Sequence, residues 1–336
     1  MLDGSCSITV NDCQDCGEQE IGGIVGHVSK RSDEEVLIEN CINMAKIEYK
    51  GSANSYIGGI VGSTVIPWGP RSPLTIMNCA NYGNLSYSES SSKYIAIGGI
   101  ISEPQGDNII NCLNAGNISV TGSTINLFIG GIVGTTNKTI NNINRLTNCA
   151  NVGTITNNFN SHQIGGIAGF LSNTEVSYCF WSDDDNYNFT GNGDAILNKT
   201  ISSFNFQTLT LNANIHGNET VTSVLNEKVT GNSSYSNWFS NINSRKVSFT
   251  INGRPTPILS TTSKIILEPK APEKDTKNIY NWYTNIGSVT PLSSYEITKK
   301  TQIFTGKQEL TQFISMCGAR LSIQSLLLHI QMALNQ

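Results

Sequence analysis

Ile21-Gly22-Gly23-Ile24-Val25-Gly26 is the first of five related blocks in this chain. The others are Ile57-Gly58-Gly59-Ile60-Val61-Gly62, Ile97-Gly98-Gly99-Ile100-Ile101, Ile129-Gly130-Gly131-Ile132-Val133-Gly134 and Ile164-Gly165-Gly166-Ile167-Ala168-Gly169. Successive copies start 36, 40, 32 and 35 residues apart. A second block runs out of phase with the first. Asn78-Cys79-Ala80-Asn81-Tyr82-Gly83-Asn84-Leu85 matches Asn111-Cys112-Leu113-Asn114-Ala115-Gly116-Asn117-Ile118 and Asn148-Cys149-Ala150-Asn151-Val152-Gly153-Thr154-Ile155. Asn40-Cys41-Ile42-Asn43 is a looser copy, and Tyr178-Cys179-Phe180-Trp181 a degenerate last one. Each Cys precedes the next Ile-Gly-Gly by 15 to 18 residues. Cys6 precedes Ile21 by 15, so it holds the same position in a repeat cut off at its front.

Short β-branched runs bounded by Gly and Asn read as strands joined by turns. No stretch before residue 200 carries an apolar i, i+3, i+4, i+7 stripe, so the units are not helical pairs. Strands of four to six residues are not stable alone. Stacking equivalent strands from successive repeats pairs their backbones and buries a shared core. The expected fold is all-β: a parallel β-solenoid, right-handed and β-helix-like, of about five to six repeats. The paired glycines, which lack a Cβ, permit a bend or a close backbone approach within each unit. Period length varies in polar segments such as Ser86 to Ser92 and Ile66 to Arg71. These are loops of unequal length on a constant scaffold, either a binding face or neutral insertions.

The alternating blocks resemble the GLUG motif repeats, in which a Gly-Gly-hydrophobic-hydrophobic-Gly block alternates with an Asn-Cys-x-Asn-x-Gly-x-hydrophobic block. The resemblance covers about residues 5 to 182. Ser102 stands where the third copy would close on Gly, and Tyr178 where the last would open on Asn. The resemblance implies a β-helical surface or adhesion module of the kind found in secreted and cell-surface proteins of bacteria and protists. It implies location more than activity.

Residues 1–182 are therefore assigned to the solenoid. Residues 183–268 form an expected β-rich cap over its open end, since terminal repeats need one. Within it, the stretch Lys246 to Leu259 reads as two strands around an Asn252-Gly253 turn. Residues 269–336 begin with a charged, Pro-containing linker, Lys270 to Lys277. They end in Ile323, Leu326, Leu327, Ile330 and Leu334 at helical spacing, an expected amphipathic helix or the translated end of a damaged gene.

Composition narrows the function classes. Charged residues make up only 14% of the 336, against roughly 25% in an average soluble domain. The chain holds 40 Asn, which suits turns, ladders and extracellular surfaces, or reflects an AT-rich genome. The net charge is −4 and Lys and Arg do not cluster, so there is no footprint for nucleic acid. No run of 18 apolar residues suggests a membrane helix. The first residues lack a signal-peptide core. Because the chain starts inside a repeat, it is expected to be a fragment or truncated gene model of an extracellular or cell-surface protein. The Asn-x-Ser/Thr sequons at Asn84, Asn117, Asn137, Asn188, Asn198, Asn218 and Asn232 support secretion only weakly.

Cys6, Cys41, Cys79, Cys112, Cys149 and Cys179 share one repeat position. A buried ladder of thiols suits a small hydrophobe, and disulfides between coils are the rival. Stacked Cβ atoms would lie about 4.8 Å apart, longer than a bridge prefers, and two coils of about 18 residues per period would separate the sulfurs altogether. Cys13-Gln14-Asp15-Cys16 has no second pair for zinc, and is expected to be a local disulfide or two loop thiols. Asp183, Asp184, Asp185, Asn186 and Asp194 offer oxygens for Ca²⁺ but read as a solvated loop without EF-hand spacing. His27, His162, His216 and His329 sit in unrelated contexts, and no His-Glu-x-x-His occurs. The expectation is a non-catalytic extracellular or cell-surface interaction module with no cofactor or metal. Its partner is a glycan or protein, not nucleic acid. The alternative is a β-helix enzyme acting on polysaccharide, which would need charged groups converging along one groove.

Overall fold

The computed structural model describes residues 6–11, 17–29, 35–65, 73–88, 91–121, 124–136, 143–158, 163–184, 187–193, 195–197, 201–212, 219–232, 234–251, 259–270, 278–283 and 301–310. The Cys13–Cys16 pair, the Ile66 to Arg71 loop, the Asn252-Gly253 turn, Asp185, Asn186, Asp194, His162, His216, His329 and the helical pattern after residue 323 lie outside them.

The chain winds into a parallel β-solenoid of about four turns. Ile8, Ile47, Leu85, Ile118 and Ile155 pair in register from one coil to the next. One sequence period is thus one coil, and a two-coil period is excluded. A first sheet stacks Ser7–Asn11, Lys46–Lys50, Leu85–Tyr87, Ile118–Val120 and Ile155–Asn157. A second stacks Glu18–Gly22, Asn54–Gly58, Ser91–Gly98, Thr124–Gly130 and Ile164–Gly165. A third stacks Val25–Ser29, Val61–Val65, Ile101–Glu103, Val133–Thr135, Ala168–Leu171 and Thr190–Gly193. The fourth bends at its middle. It carries Val36–Glu39, Leu74–Met77 and Asn108–Ile110 before the bend and Ile42–Asn43, Ala80–Asn81 and Leu113–Asn114 after it. Asn144–Asn151 and Thr174–Ser182 run through both halves.

The Gly-Gly block joins the second sheet to the third, and its bend divides the core into two lobes. In one, Ile47, Leu85 and Ile118 pack against Ile57, Ile97 and Ile129. In the other, Val61, Ile101 and Val133 pack against Ile76, Ile109, Leu146 and the stacked cysteines. Each fully buried Leu, Ile or Val side chain contributes about 1.5–3 kcal/mol. Strands too short to persist alone are held because every inward position repeats in the next coil.

Two further strands extend the stack: Thr190–Gly193 pairs with Ala168–Leu171, and Ile201–Phe204 with Thr174–Ser182. The chain then turns back along the solenoid's flank. Leu209, Val221, Val224, Leu225 and Trp238 pack on Ala80, Leu113, Ala150 and Phe180. Farther back, Phe239, Phe249 and Ile266 reach Ile42 and Met44 of the first full coil. The segment expected to cap the open end therefore lies along the side. The outward apolar residues of the fourth sheet leave an uncovered stripe there, and the returning chain covers it.

The flank also holds a helix that the β-rich reading missed, Val221–Val229, with Thr220 as its N-cap. Val221, Val224 and Leu225 are its buried i, i+3, i+4 face, too short a stripe to stand out beside the strand pattern. Trp238–Ser240 pairs antiparallel with Ile265–Leu267. Lys246–Ile251 pairs antiparallel with Leu259–Thr261. Asn278–Tyr283 and Thr301–Leu310 join that sheet, so the described part of the region after residue 269 contains two strands. Ile279, Tyr280, Trp282 and Tyr283 are β-branched or aromatic types that favour a strand.

Candidate functional site

The repeat residues converge at the waist between the lobes. Asn43, Asn81, Asn114 and Asn151 are buried there in one file. The side-chain amide of each of the first three donates to the Oδ1 of the next at 2.9 Å, across 38, 33 and 37 residues of chain. The same amides donate to the carbonyls of Ala45, Gly83 and Gly116. The second glycine of each pair faces this file. A Cβ on Gly23, Gly59, Gly99 or Gly131 would strike Asn43, Asn81, Asn114 or Asn151 respectively. On Gly166 it would strike Trp181, which takes the Asn position in the last coil. The first glycine makes the bend: a Cβ on Gly22, Gly58, Gly98, Gly130 or Gly165 would meet the carbonyl three residues on.

A second asparagine file lies at the bend of the fourth sheet. Asn40, Asn78, Asn111 and Asn148 have φ of 57°, 53°, 53° and 57°, the left-handed region that Asn tolerates better than most residues. Their amides also hydrogen-bond coil to coil, at 3.2, 2.8 and 2.7 Å. Tyr178 adopts the same φ of 53° without the amide, and Lys228 of the flank helix sits over its ring. The flank is bolted to this file: Trp238 Nε1 donates to Asn111 Oδ1 at 2.7 Å, and Asn78 Nδ2 donates to the Ser234 carbonyl at 2.6 Å.

Cys41, Cys79, Cys112, Cys149 and Cys179 stack in the second lobe as free thiols, and Cys6 is free and exposed. Cys112 and Cys149 each donate to the carbonyl two residues back, at 3.2 and 3.4 Å. Burial, followed by the neighbouring sulfurs, holds the Cys112 and Cys179 thiols well above the ordinary range. The buried cysteines and the paired glycines build the scaffold.

The outward face of the Gly-Gly bend differs. The closing glycine brings the third sheet against the backbone of the second: a Cβ on Gly62 would lie 2.8 Å from the Ile21 nitrogen. Along the resulting seam, one register row carries Glu20, Tyr56, Ala96 and Phe128. The facing row carries His27, Ser63, Glu103, Thr135 and Phe170, of which Ser63, Glu103 and Thr135 are buried. Tyr56, Tyr94, Phe128 and Phe170, all partly exposed, form a continuous aromatic file with ring centroids 5.7, 4.9 and 6.2 Å apart. Tyr56 and Tyr94 are held above the ordinary phenol range, first by burial and then by the Glu103 charge. Among the described residues, the apolar packing of the flank involves none of these four rings.

Ser63, His27 and Glu20 meet at one end of the seam. Ser63 Oγ donates to Glu20 Oε1 at 2.8 Å and lies 3.4 Å from His27 Nδ1. Glu20 Oε2 lies 2.8 Å from the same Nδ1. A nucleophile–base pair needs the hydroxyl on one ring nitrogen and the orienting acid on the other. Here both partners crowd one nitrogen and the hydroxyl donates its hydrogen bond to the carboxylate, so the arrangement is not that of a nucleophile–base pair. At the Asp-rich loop, Asp183 accepts from the Phe206 nitrogen and from Asn212 Nδ2, which makes it a tether between segments. No group of three or more His, Cys, Asp or Glu suited to a metal occurs among the described residues. No helix of the described residues is long and apolar enough to cross a membrane.

Sequence reasoning did not pick out the seam or the two Asn files. Both were present as fixed offsets. The files are the two Asn positions of the Cys block. The seam is the residue before each Ile-Gly-Gly and the residue after each closing Gly. No family model, curated protein or solved structure matches this sequence.

Proposed function

We propose that this chain is a non-catalytic interaction module that works outside the cell or at its surface, built on repeats of the GLUG type. The observation that carries this reading is the seam. It is a file of partly exposed aromatic rings, continued from coil to coil and outside the packing of the flank. A repeating surface of this kind suits a repeating or extended partner. The scarcity of charge and abundance of Asn, Ser and Thr suit contact in an extracellular setting. The phased Gly-Gly and Asn-Cys-x-Asn blocks are what support GLUG membership.

The alternative, a β-helix enzyme acting on polysaccharide, draws on Glu20 and Glu103 sharing one seam. Their strands are two coils apart, roughly 10 Å at the usual strand spacing, and Glu20 is engaged with His27 and Ser63. A hydrolytic pair needs two carboxyls about 5–9.5 Å apart, one of them free to transfer a proton. A glycan and host-surface binding screen, run beside an activity screen on polyuronides and other polysaccharides, separates the two readings. Binding without turnover is expected. Turnover abolished by Glu20→Gln or Glu103→Gln would overturn the non-catalytic reading.

A further inference from the structure

A cleft of about 300 Å³ lies between the solenoid and the flank, lined by Met44, Tyr82, Lys246, Ser260, Thr261 and Thr262. Its floor comes from the repeat. The residue after the inner-file Asn is Ala115 or Val152 in the later coils, where the flank packs down. In the earlier coils it is Met44 or Tyr82, and the paired strands Lys246–Ile251 and Leu259–Thr261 pass beside these larger side chains. Both side chains are half-buried, and the Tyr82 hydroxyl is wholly enclosed. What Tyr82 offers the cleft is therefore ring rather than phenol, and Met44 adds a thioether.

The wall is polar and reachable. Lys246 and Thr262 are exposed, and Ser260 and Thr261 are half-buried. Lys246 is the one charged residue that lines the cleft, and among the described residues it forms no ion pair. Ser260 Oγ shares a hydrogen bond with Ser248 Oγ at 3.0 Å, and Thr261 Oγ1 accepts from the Ser263 nitrogen at 3.1 Å. A hydroxyl has one donor and two acceptor sites, so both keep capacity for a ligand.

These groups describe what would fit. A lone ammonium is a point charge with three donors, which suits one negative group and does not demand a forked geometry. The hydroxyls beside it suit a ligand rich in hydroxyls. The ring and thioether suit an apolar C–H face. The volume is at the small end of small-molecule sites, about 300–1,000 Å³, which is room for one sugar ring rather than a chain. A nucleotide would bring several phosphate charges to a single lysine.

We propose that this cleft binds one pyranose bearing a carboxylate, a uronic or sialic acid unit at the end of a glycan. The carboxylate sits against Lys246, the sugar hydroxyls against Ser260, Thr261 and Thr262, and the C–H face on Tyr82 and Met44. The site lies apart from the seam and adds a second contact to the surface-module reading.

The test is saturation-transfer NMR on the full folded chain, which reads weak binding. The probes are the methyl glycosides of N-acetylneuraminic acid, glucuronic acid and glucose, with acetate and inorganic phosphate as competitors. The two acidic sugars are expected to bind, more weakly as salt is raised. Methyl glucoside is expected not to bind, and acetate and phosphate to compete poorly. Lys246→Gln should weaken acidic-sugar binding about tenfold, as the loss of one charge-assisted hydrogen bond does. Lys246→Arg, which keeps the charge, should restore much of it. Thr262→Ala should weaken it severalfold. These side chains are exposed, so the melting temperature should stay put. Lys50→Gln, on the first sheet outside the cleft, should leave binding unchanged. Equal binding of methyl glucoside, competition by acetate or phosphate as strong as that of the sugars, or indifference to Lys246→Gln overturns the proposal. So does a lack of binding by both acidic sugars. Each of those outcomes leaves the surface-module reading standing, which only polysaccharide turnover would defeat.

Discussion

Gly131 and Asn151 face each other across the waist of the solenoid, so closely that a Cβ on Gly131 would overlap both the Asn151 amide and the Gly166 carbonyl. The two blocks of the repeat are thus halves of one contact. The Gly-Gly block supplies a gap, and the Asn-Cys-x-Asn block supplies the side chain that fills it. Asn151 uses that position to donate to the Gly166 carbonyl at 3.1 Å and to accept from the Gly153 nitrogen at 3.2 Å.

Gly131→Val should therefore be severely destabilising, by about 3 kcal/mol or more, as expected of overpacking combined with a broken buried hydrogen-bond network. Gly17→Ala is the matched control, because nothing lies within 4 Å of the added Cβ. It should stay within about 0.5 kcal/mol of wild type. Denaturant unfolding of the two variants checks the contrast. A shift below about 0.5 kcal/mol for Gly131→Val would show that the gap is not a steric requirement.

The repeat was legible because the scaffold uses the same residue at the same offset in every coil, and periodicity makes such positions stand out. Coil size was not legible from period length. It became clear only when Ile8, Ile47 and Leu85 were seen in one register. The flank escaped for a different reason. Trp238 and Leu225 pack on Asn111 and the fourth sheet from over a hundred residues away, and no local pattern encodes where a returning chain lies down. The seam was the hardest to read. Its positions are phased, but their residues vary from Glu to Tyr to Ala to Phe, so a search for identical copies passes over them.

Asn114 tests the inner file. Its Nδ2 donates to Gly116 O at 3.0 Å and Asn151 Oδ1 at 2.9 Å, and its Oδ1 accepts from Asn81. Asn114→Ala removes these bonds but leaves Asn81 and Asn151 their local partners, at a cost of about 1–3 kcal/mol. Asn114→Asp is nearly isosteric yet aims oxygen at two acceptors in a fully buried site. It should cost more, about 3–5 kcal/mol, as an uncompensated buried charge does. Acidification protonates the new carboxyl and lets it donate, so the gap between the two variants should narrow as pH falls. Urea unfolding at two pH values decides it. An Asp variant as stable as the Ala variant at neutral pH would mean that the file is not a directional hydrogen-bond chain.

The cysteine file predicts a labelling pattern. Cys79, Cys112, Cys149 and Cys179 are fully buried, and Cys6 is exposed. Reactivity follows the accessible thiolate, so an alkylating reagent should modify Cys6 in the native protein at once. The four buried thiols should react only on unfolding. Peptide mapping after a timed pulse reads this directly. A non-reducing digest containing Cys79 joined to Cys112 would replace the thiol ladder with the disulfide alternative.

Glu268 predicts the sign of a pH effect. Its carboxyl is nearly fully buried, and its Oε2 accepts from Asn237 Nδ2 at 2.7 Å and from the Asn237 nitrogen at 3.2 Å. Burial raises its pKa, and the Asn237 bonds and the Lys270 charge only partly oppose this. A folded pKa above the unfolded one means that the native state binds the proton more tightly. The stabilising contribution of that proton is complete below the unfolded pKa and is lost as pH rises through the folded pKa. Glu268→Gln keeps an oxygen acceptor for Asn237 and removes the charge. Wild type and variant should therefore differ least in acid, and the variant should gain relative to wild type as pH rises through the folded carboxyl's titration to neutrality. Melting temperatures across that range test this. If wild type instead gained on the variant with rising pH, the Asn237 and Lys270 contacts would outweigh burial and the assigned direction would be wrong.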